Sequence, residues 1–293
     1  MSAWLAPALI NRLEALELSV KAVRAGHRLG GRFTVSRRGS SIEFADYSPY
    51  YPGDDIRAID WSLYARLEKL FVKTYKEEIA LSVEVLVDAT PSMALPSAEK
   101  FRRAVQLAVS LGYIALSDVH YVRLSWMKGG PLQSSPSLHQ RGDLSRMDRI
   151  ADAGRVGAVA DFAEWMRRAA ISLRLHGGQA IVITDGMLRP AALFQGLTAL
   201  LTRNLEVKVL QVLTPQELRP SLLANAGVVV DAETGETHQL AYSAAQLERA
   251  MSDHNELLAR FCKRHGIAFA QHRTDEPLDT FLTSTLPARG FLE

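Results

Sequence analysis

Ser82-Val83-Glu84-Val85-Leu86-Val87-Asp88-Ala89-Thr90-Pro91-Ser92 is the stretch on which the fold turns. Valine and leucine dominate its first six positions, and the run then ends on an acid. A short, mostly apolar segment of this kind suits a strand buried on both faces, as strands are in parallel sheets. Ligands of open parallel sheets sit beyond the C-terminal ends of the strands, so Asp88 stands where chemistry is expected.

The same rhythm continues downstream. Residues 100–116 predict a helix, 121–127 a second strand, and 143–153 and 161–175 two further helices. Residues 180–184 predict a strand running into Asp185-Gly186, followed by a helix over 191–202 and a strand over 206–213. Strands alternating with helices imply right-handed βαβ units and a mainly parallel sheet covered on both faces. After Pro215 the rhythm breaks. Val228-Val-Val-Asp231 and residues 238–241 read as a hairpin with Gly235 in its turn. A long helix over 244–265 ends at Gly266, a strand follows over 267–271, and a helix over 278–286 closes the chain. Upstream, Leu9, Leu13, Leu16, Val20 and Val23 recur at helical spacing and predict a helix over 7–26. A short strand is expected at 32–36 and another over 70–77, whereas 42–64 is too rich in Tyr, Pro, Gly and Asp to assign as one element. The expected architecture is therefore α/β and Rossmann-like. Its mainly parallel central sheet is flanked by helices, with an N-terminal helix and β extension (1–78) packed on a core domain (79–293) that carries a β-hairpin insertion.

Composition narrows the function classes. The 293 residues are 47% hydrophobic and 23% charged, which is ordinary for a globular protein. A net charge of +2 gives no reason to expect nucleic acid or another polyanion. Cys262 is the one cysteine, so neither an internal disulfide nor a cysteine-based zinc site can form. A reducing, cytoplasmic setting is expected. The most apolar helical stretch, 104–116, is interrupted by Gln106, Ser110 and Gly112 and falls short of the roughly 18 apolar residues of a membrane span.

Asp88, Thr90 and Ser92 place three side-chain oxygens at alternate positions in one loop, and Asp185 ends a second strand. Hard cations such as magnesium take oxygen ligands and keep several waters. The competing reading is a loop whose hydroxyls only cap the next helix.

Asp88-x-Thr90-x-Ser92, with Thr184-Asp185-Gly186 after a later strand, resembles the metal-ion-dependent adhesion site of von Willebrand factor A domains. An upstream block adds Glu43-Phe44, Tyr51-Pro-Gly-Asp-Asp-Ile-Arg57-Ala-Ile-Asp60-Trp61, Tyr64-Ala-Arg66 and Lys73. It is similar to the pattern of the bacterial family named domain of unknown function fifty-eight. Asp231-x-Glu233-Thr-Gly235, Leu257, Cys262 and Thr274-Asp-Glu-Pro277-Leu278 fit the same family. The resemblance implies a von Willebrand A-like domain and a magnesium or similar divalent ion on Asp88, Thr90, Ser92 and, through water, Asp185. It also implies action with a MoxR-type AAA+ ATPase in assembling or activating a client protein. Two positions depart from the family pattern. Ala160 stands where a ligand threonine is expected, and Ser48 stands where an arginine commonly precedes the Pro-Tyr pair. A methyl group cannot coordinate, and Asp161 beside it is expected to cap a helix.

Asp54, Asp55, Arg57, Asp60 and Arg66 lie among Trp61 and Tyr64 and suggest an ion-pair network, with a docking face as the alternative. Arg24, His27, Arg28, Arg32, Arg37 and Arg38 form a basic stretch with little aromatic content, and no Gly-Lys-Ser/Thr follows to make it a phosphate loop. Two functions remain. One is a non-catalytic interaction module that takes a partner's carboxylate on the cation; if the metal site has decayed, the fold would act as a docking platform alone. The other is a metal-dependent phosphohydrolase, against which Thr90 occupies the place where a second acid would be wanted.

Overall fold

A computed structural model describes residues 2–19, 43–76, 81–130, 133–157, 161–172, 178–203, 205–219, 228–232, 235–239 and 243–293. The chain divides into two units, one of Met1–Lys21 with Leu81–Glu293 and one of Ala22–Ala80. The first helix (Pro7–Leu13), expected within a region ending at residue 78, groups with the sheet-bearing unit.

In the smaller unit, strand β1 (Glu43–Pro49) pairs antiparallel with β2 (Phe71–Lys76). A 3-10 turn (Ile56–Ala58) and helix α2 (Trp61–Leu67) lie between them. Asp60 starts α2 by accepting from the amides of Ser62 and Leu63 at 2.9 and 3.1 Å. Of the expected ion-pair network, the structure shows Asp60 with Lys73 at 3.1 Å. Asp54 and Asp55 accept from the backbone amides of Tyr51 and Arg57, and Arg57 and Arg66 form no ion pair among the described residues.

The larger unit is built on β3 (Ser82–Asp88), β4 (Tyr121–Met127), β5 (Gln133–Ser134), β6 (Gly178–Thr184), β7 (Glu206–Leu213) and β10 (Ala268–Arg273). They form one sheet in the order β10-β7-β6-β3-β4-β5, parallel except for β5. The sheet is covered by α3 (Glu99–Ser117), α4 (Leu144–Asp152), α5 (Phe162–Ser172), α6 (Pro190–Leu201) and α8 (Ala244–Arg264), while a four-residue helix, α7 (Pro215–Leu218), follows β7. Strand order reverses at β3: the chain leaves it toward β4, and β6 returns to its other side. Open α/β sheets bind ligands at such a reversal, which here falls at the tips of β3 and β6.

Alternation along β3 explains its two-sided burial. Val83, Val85 and Val87 pack with α3 and with Phe281, Leu286 and Phe291 of the C-terminal segment. Leu86 faces Phe162, Trp165, Leu197 and Cys262 on the other side. Glu84 is the exception within this core. It is buried, takes Arg123 at 2.8 Å, and is driven above the usual carboxylate range by burial.

The expected strands and long helices are present with small changes at their ends. β8 (Val228–Val230) and β9 (Thr237–Gln239) form the hairpin, and Gly235 holds φ +74° in its turn. The first helix does not run to residue 26: α1 covers only Pro7–Leu13. Leu18 bridges Leu292, and Glu17 exchanges backbone hydrogen bonds with Glu293 at 3.2 and 2.9 Å. Pairing with the distant C-terminus overrides the local helical spacing of Leu16. Val20, Val23, the strand expected at 32–36, the basic stretch from Arg24 to Arg38 and Ala160 lie outside the described residues. No described helix is long and apolar enough to cross a membrane.

Candidate metal centre

Register brings the two strand tips together. Val87 pairs with Ile183, which sets Asp88 beside Thr184. The Thr184 hydroxyl donates to Asp88 Oδ2 at 2.6 Å and accepts from the Gly186 amide at 3.0 Å. Gly186 holds φ +72°, which turns the chain sharply so that its amide points back at that hydroxyl. Asp88 Oδ1 accepts from the Thr90 amide at 3.0 Å, and the hydroxyls of Thr90 and Ser92 are 3.0 Å apart. Asp88, Thr90 and Ser92 thus face one point, with Thr184 closing the fourth side.

Asp185 is held differently. Its Oδ1 accepts from the Met187 amide at 2.9 Å and its Oδ2 accepts from Lys100 Nζ at 2.8 Å. Lys100 enters from the first turn of α3, is completely buried, and also donates to Glu217 Oε1 at 2.5 Å. Glu217 belongs to a capping box at α7, where its Oε2 accepts from the Thr214 amide and hydroxyl, both at 2.8 Å. Behind Asp185, Gln211 donates to its carbonyl at 2.9 Å and to Asn255 at 2.8 Å.

The electrostatics follow from burial. Asp88, Thr90 and Asp185 are inaccessible to solvent and Ser92 is 8% exposed, so any approach to the site lies on the Ser92 side. Burial first, and the charge of Asp185 second, push Asp88 up to about 7, against the hydrogen bonds from Thr184 and Thr90. Burial alone would lower Lys100, but Asp185 and Glu217 hold it above the usual lysine range.

The residues fit a hard dication in part. One carboxylate and two adjacent hydroxyls suit an ion that keeps waters. A cation would also offset the burial and the Asp185 charge that raise Asp88. Asp185, unlike Asp88, is already ion-paired to a lysine, Lys100, and its other oxygen accepts from the Met187 amide. Among the described residues, no cluster of three acidic, histidine or cysteine side chains offers an alternative. Asp161 caps α5 by accepting from the Glu164 amide at 2.9 Å, as its position before the helix implies.

All four expected ligands lie at the tips of β3 and β6. Lys100 and Glu217 carried no assignment from sequence. Each is an ordinary charged residue at the start of a helical segment, and only the buried ion pairs distinguish them. Thr184 was legible as the residue before Asp185, and its partner depends on strand register.

Residues 46–257 match the family described as Protein of unknown function DUF58. An uncharacterised protein of Mycobacterium tuberculosis, Rv1480, is 27% identical over 282 residues, covering 92% of this chain and 86% of its own length. Among solved structures, BatB from Bacteroides thetaiotaomicron aligns at 16% identity with a TM-score of 0.43, over 72% of this chain and 98% of that one. A von Willebrand factor type A protein from Catenulispora acidiphila aligns at 14% identity with a TM-score of 0.36, over 64% and 43%.

Proposed function

The chain belongs to the DUF58 family, and on that premise we propose that it is a non-catalytic protein-interaction module that takes a partner's carboxylate on a divalent cation, magnesium or similar, at the tips of β3 and β6. The observation that carries this reading is the convergence of Asp88, Thr90 and Ser92 at the point where strand order reverses. Those three side chains would hold the ion, with Asp185 acting through water. The ion, when bound, supplies an exchangeable position for an acidic ligand. Thr184 orients the Asp88 carboxylate, and Lys100 fixes Asp185 and balances its charge. Ala160 contributes no oxygen, so water fills the position that the family's threonine occupies. The partner on this reading is a MoxR-type AAA+ ATPase or its client, and any ATP hydrolysis is the partner's. It rests on the family resemblance rather than on the site geometry.

The test has two arms. Magnesium should raise the unfolding temperature of the wild-type chain, because a ligand that binds only the folded state stabilises it by about 2.7 kcal/mol at a hundred times Kd. Asp88→Ala should lose that shift. Pull-down of the ATPase should weaken with chelator and with the same substitution. Binding indifferent to both removes the metal from the mechanism while leaving the partnership intact.

One observation favours the phosphohydrolase alternative: a buried lysine is bonded to a strand-tip aspartate, Asp185. Against it, Thr90 stands where a second acid would be wanted. Metal-dependent turnover of p-nitrophenyl phosphate, lost in Asp88→Asn, would reverse the ranking.

A further inference from the structure

A second candidate binding surface lies in the larger unit, beside the strand-tip site and distinct from it. A cleft of about 810 Å³ opens between the N-terminal segment, the start of α3 and the turn after α4. Its lining includes Trp4, Phe101, Arg102, Arg103, Gln106 and Arg155. Its walls are linked to the strand-tip loops through the chain. Phe101 and Arg102 directly follow Lys100 on α3, whose side chain turns inward to Asp185. On the far wall, the Gly157 amide donates to the Ala89 carbonyl at 2.8 Å, stitching the turn that carries Arg155 to the Asp88–Ser92 loop.

The charge in this cleft is unbalanced. None of Arg102, Arg103 and Arg155 forms an ion pair among the described residues. Arg103 donates from Nη2 to the Thr274 carbonyl at 3.2 Å, while its Nε is buried and without a partner. Arg155 donates from one nitrogen to the carbonyls of Asp152 and Gly154, the latter at 2.7 Å. Glu99 is the one acidic residue in the lining. The nearby Asp152 accepts from Trp4 Nε1 at 2.9 Å. A buried guanidinium nitrogen left unbonded is costly, and planar carboxylates match its fork. Gly154 shapes the turn: a Cβ there would lie 2.8 Å from the Trp126 ring, so the backbone passes close over that ring and Arg155 is carried out to the rim.

We infer that this cleft binds an acidic peptide segment of the protein partner, its carboxylates on Arg102, Arg103 and Arg155 and an apolar side chain against Trp4 and Phe101. The inference rests on the interaction-module reading but not on the metal. A near-neutral chain with three unpaired arginines in one apolar-walled cleft is complementary to an acidic, amphipathic segment. The cleft then supplies affinity and register beside a site that can take one carboxylate.

Fluorescence anisotropy of the full chain with a fluorescein-labelled Glu-Phe-Glu-Asp-Leu-Glu peptide at low salt tests this. Arg102→Glu combined with Arg155→Glu should weaken binding roughly tenfold or more, and Arg103→Gln should weaken it less. Both reversed residues are exposed, so an unchanged unfolding temperature confirms that the variant is folded. Arg167→Glu, on an arginine already paired with Glu164, should leave binding unchanged. Loss in the double variant with binding retained in Asp88→Ala supports the cleft whether or not the metal reading survives. No binding by the wild type, equal binding by the double variant, or equal or tighter binding of an all-lysine peptide or a ten-residue oligothymidylate would overturn the inference.

Discussion

Two aspartate clusters look alike in sequence and behave in opposite ways in the structure. In the smaller unit, the bond to Lys73, the Leu63 amide and the Tyr47 hydroxyl hold Asp60 down to about 2. In the larger unit, burial and a second carboxylate push Asp88 up to about 7. The residue type is the same, and so is the count of hydrogen bonds to within one or two. What differs is the solvent. Lys73 keeps 41% of its side chain exposed, whereas Lys100 keeps none. Near water an aspartate bonded to a cation is a modest local clamp. In the interior it becomes a charge that must be matched.

The comparison breaks or sharpens under five substitutions. The largest effect is expected from Lys100→Met, which leaves the buried Asp185 and the half-buried Glu217 without their counter-ion. Urea unfolding should show a loss of roughly 3–5 kcal/mol, against less than about 1 kcal/mol for Lys73→Met. Equal losses would mean that the interior pair is not what separates the two regions.

The pH dependence should differ in sign. Asp88 is raised in the folded state from 3.8 to about 7. Its contribution to the metal-free protein is therefore fully present below its unfolded value and lost as pH rises through 7. In chelator, stability should decline between about pH 4 and pH 8, by at most about 4 kcal/mol at 1.36 kcal/mol per unit. Asp88→Asn should flatten that decline. Asp60, lowered to about 2, contributes above 3.8 and loses its contribution as pH falls through the folded value. Acid sensitivity removed by Asp60→Asn, with the alkaline decline untouched, would confirm the opposition.

The smallest effect is expected from Asp60→Ala. It removes the cap of a seven-residue helix, and thermal unfolding should show only a small destabilisation. A loss as large as that of Lys100→Met would show that Asp60 carries more than a cap and a surface pair.

What the sequence determined is local and periodic. The run from Ser82 to Asp88 was legible as a buried strand because side chains alternate with period two and apolar residues filled both faces. The helix over Ala244–Arg264 and the turn at Gly235 follow from equally local signals. The four oxygen-bearing residues of the site could be named because they sit at strand tips, where parallel sheets expose chemistry. Tertiary structure alone decided the rest. Lys100 lies 85 positions from Asp185 and 117 from Glu217, and no spacing along the chain announces a contact of that range. The same holds for Leu18 against Leu292, which ended a helix that the local pattern would have continued. The state of Asp88 was also out of reach of the sequence, because ionisation depends on how much water and how many charges lie around a group. Both are properties of the packed fold rather than of the order of residues.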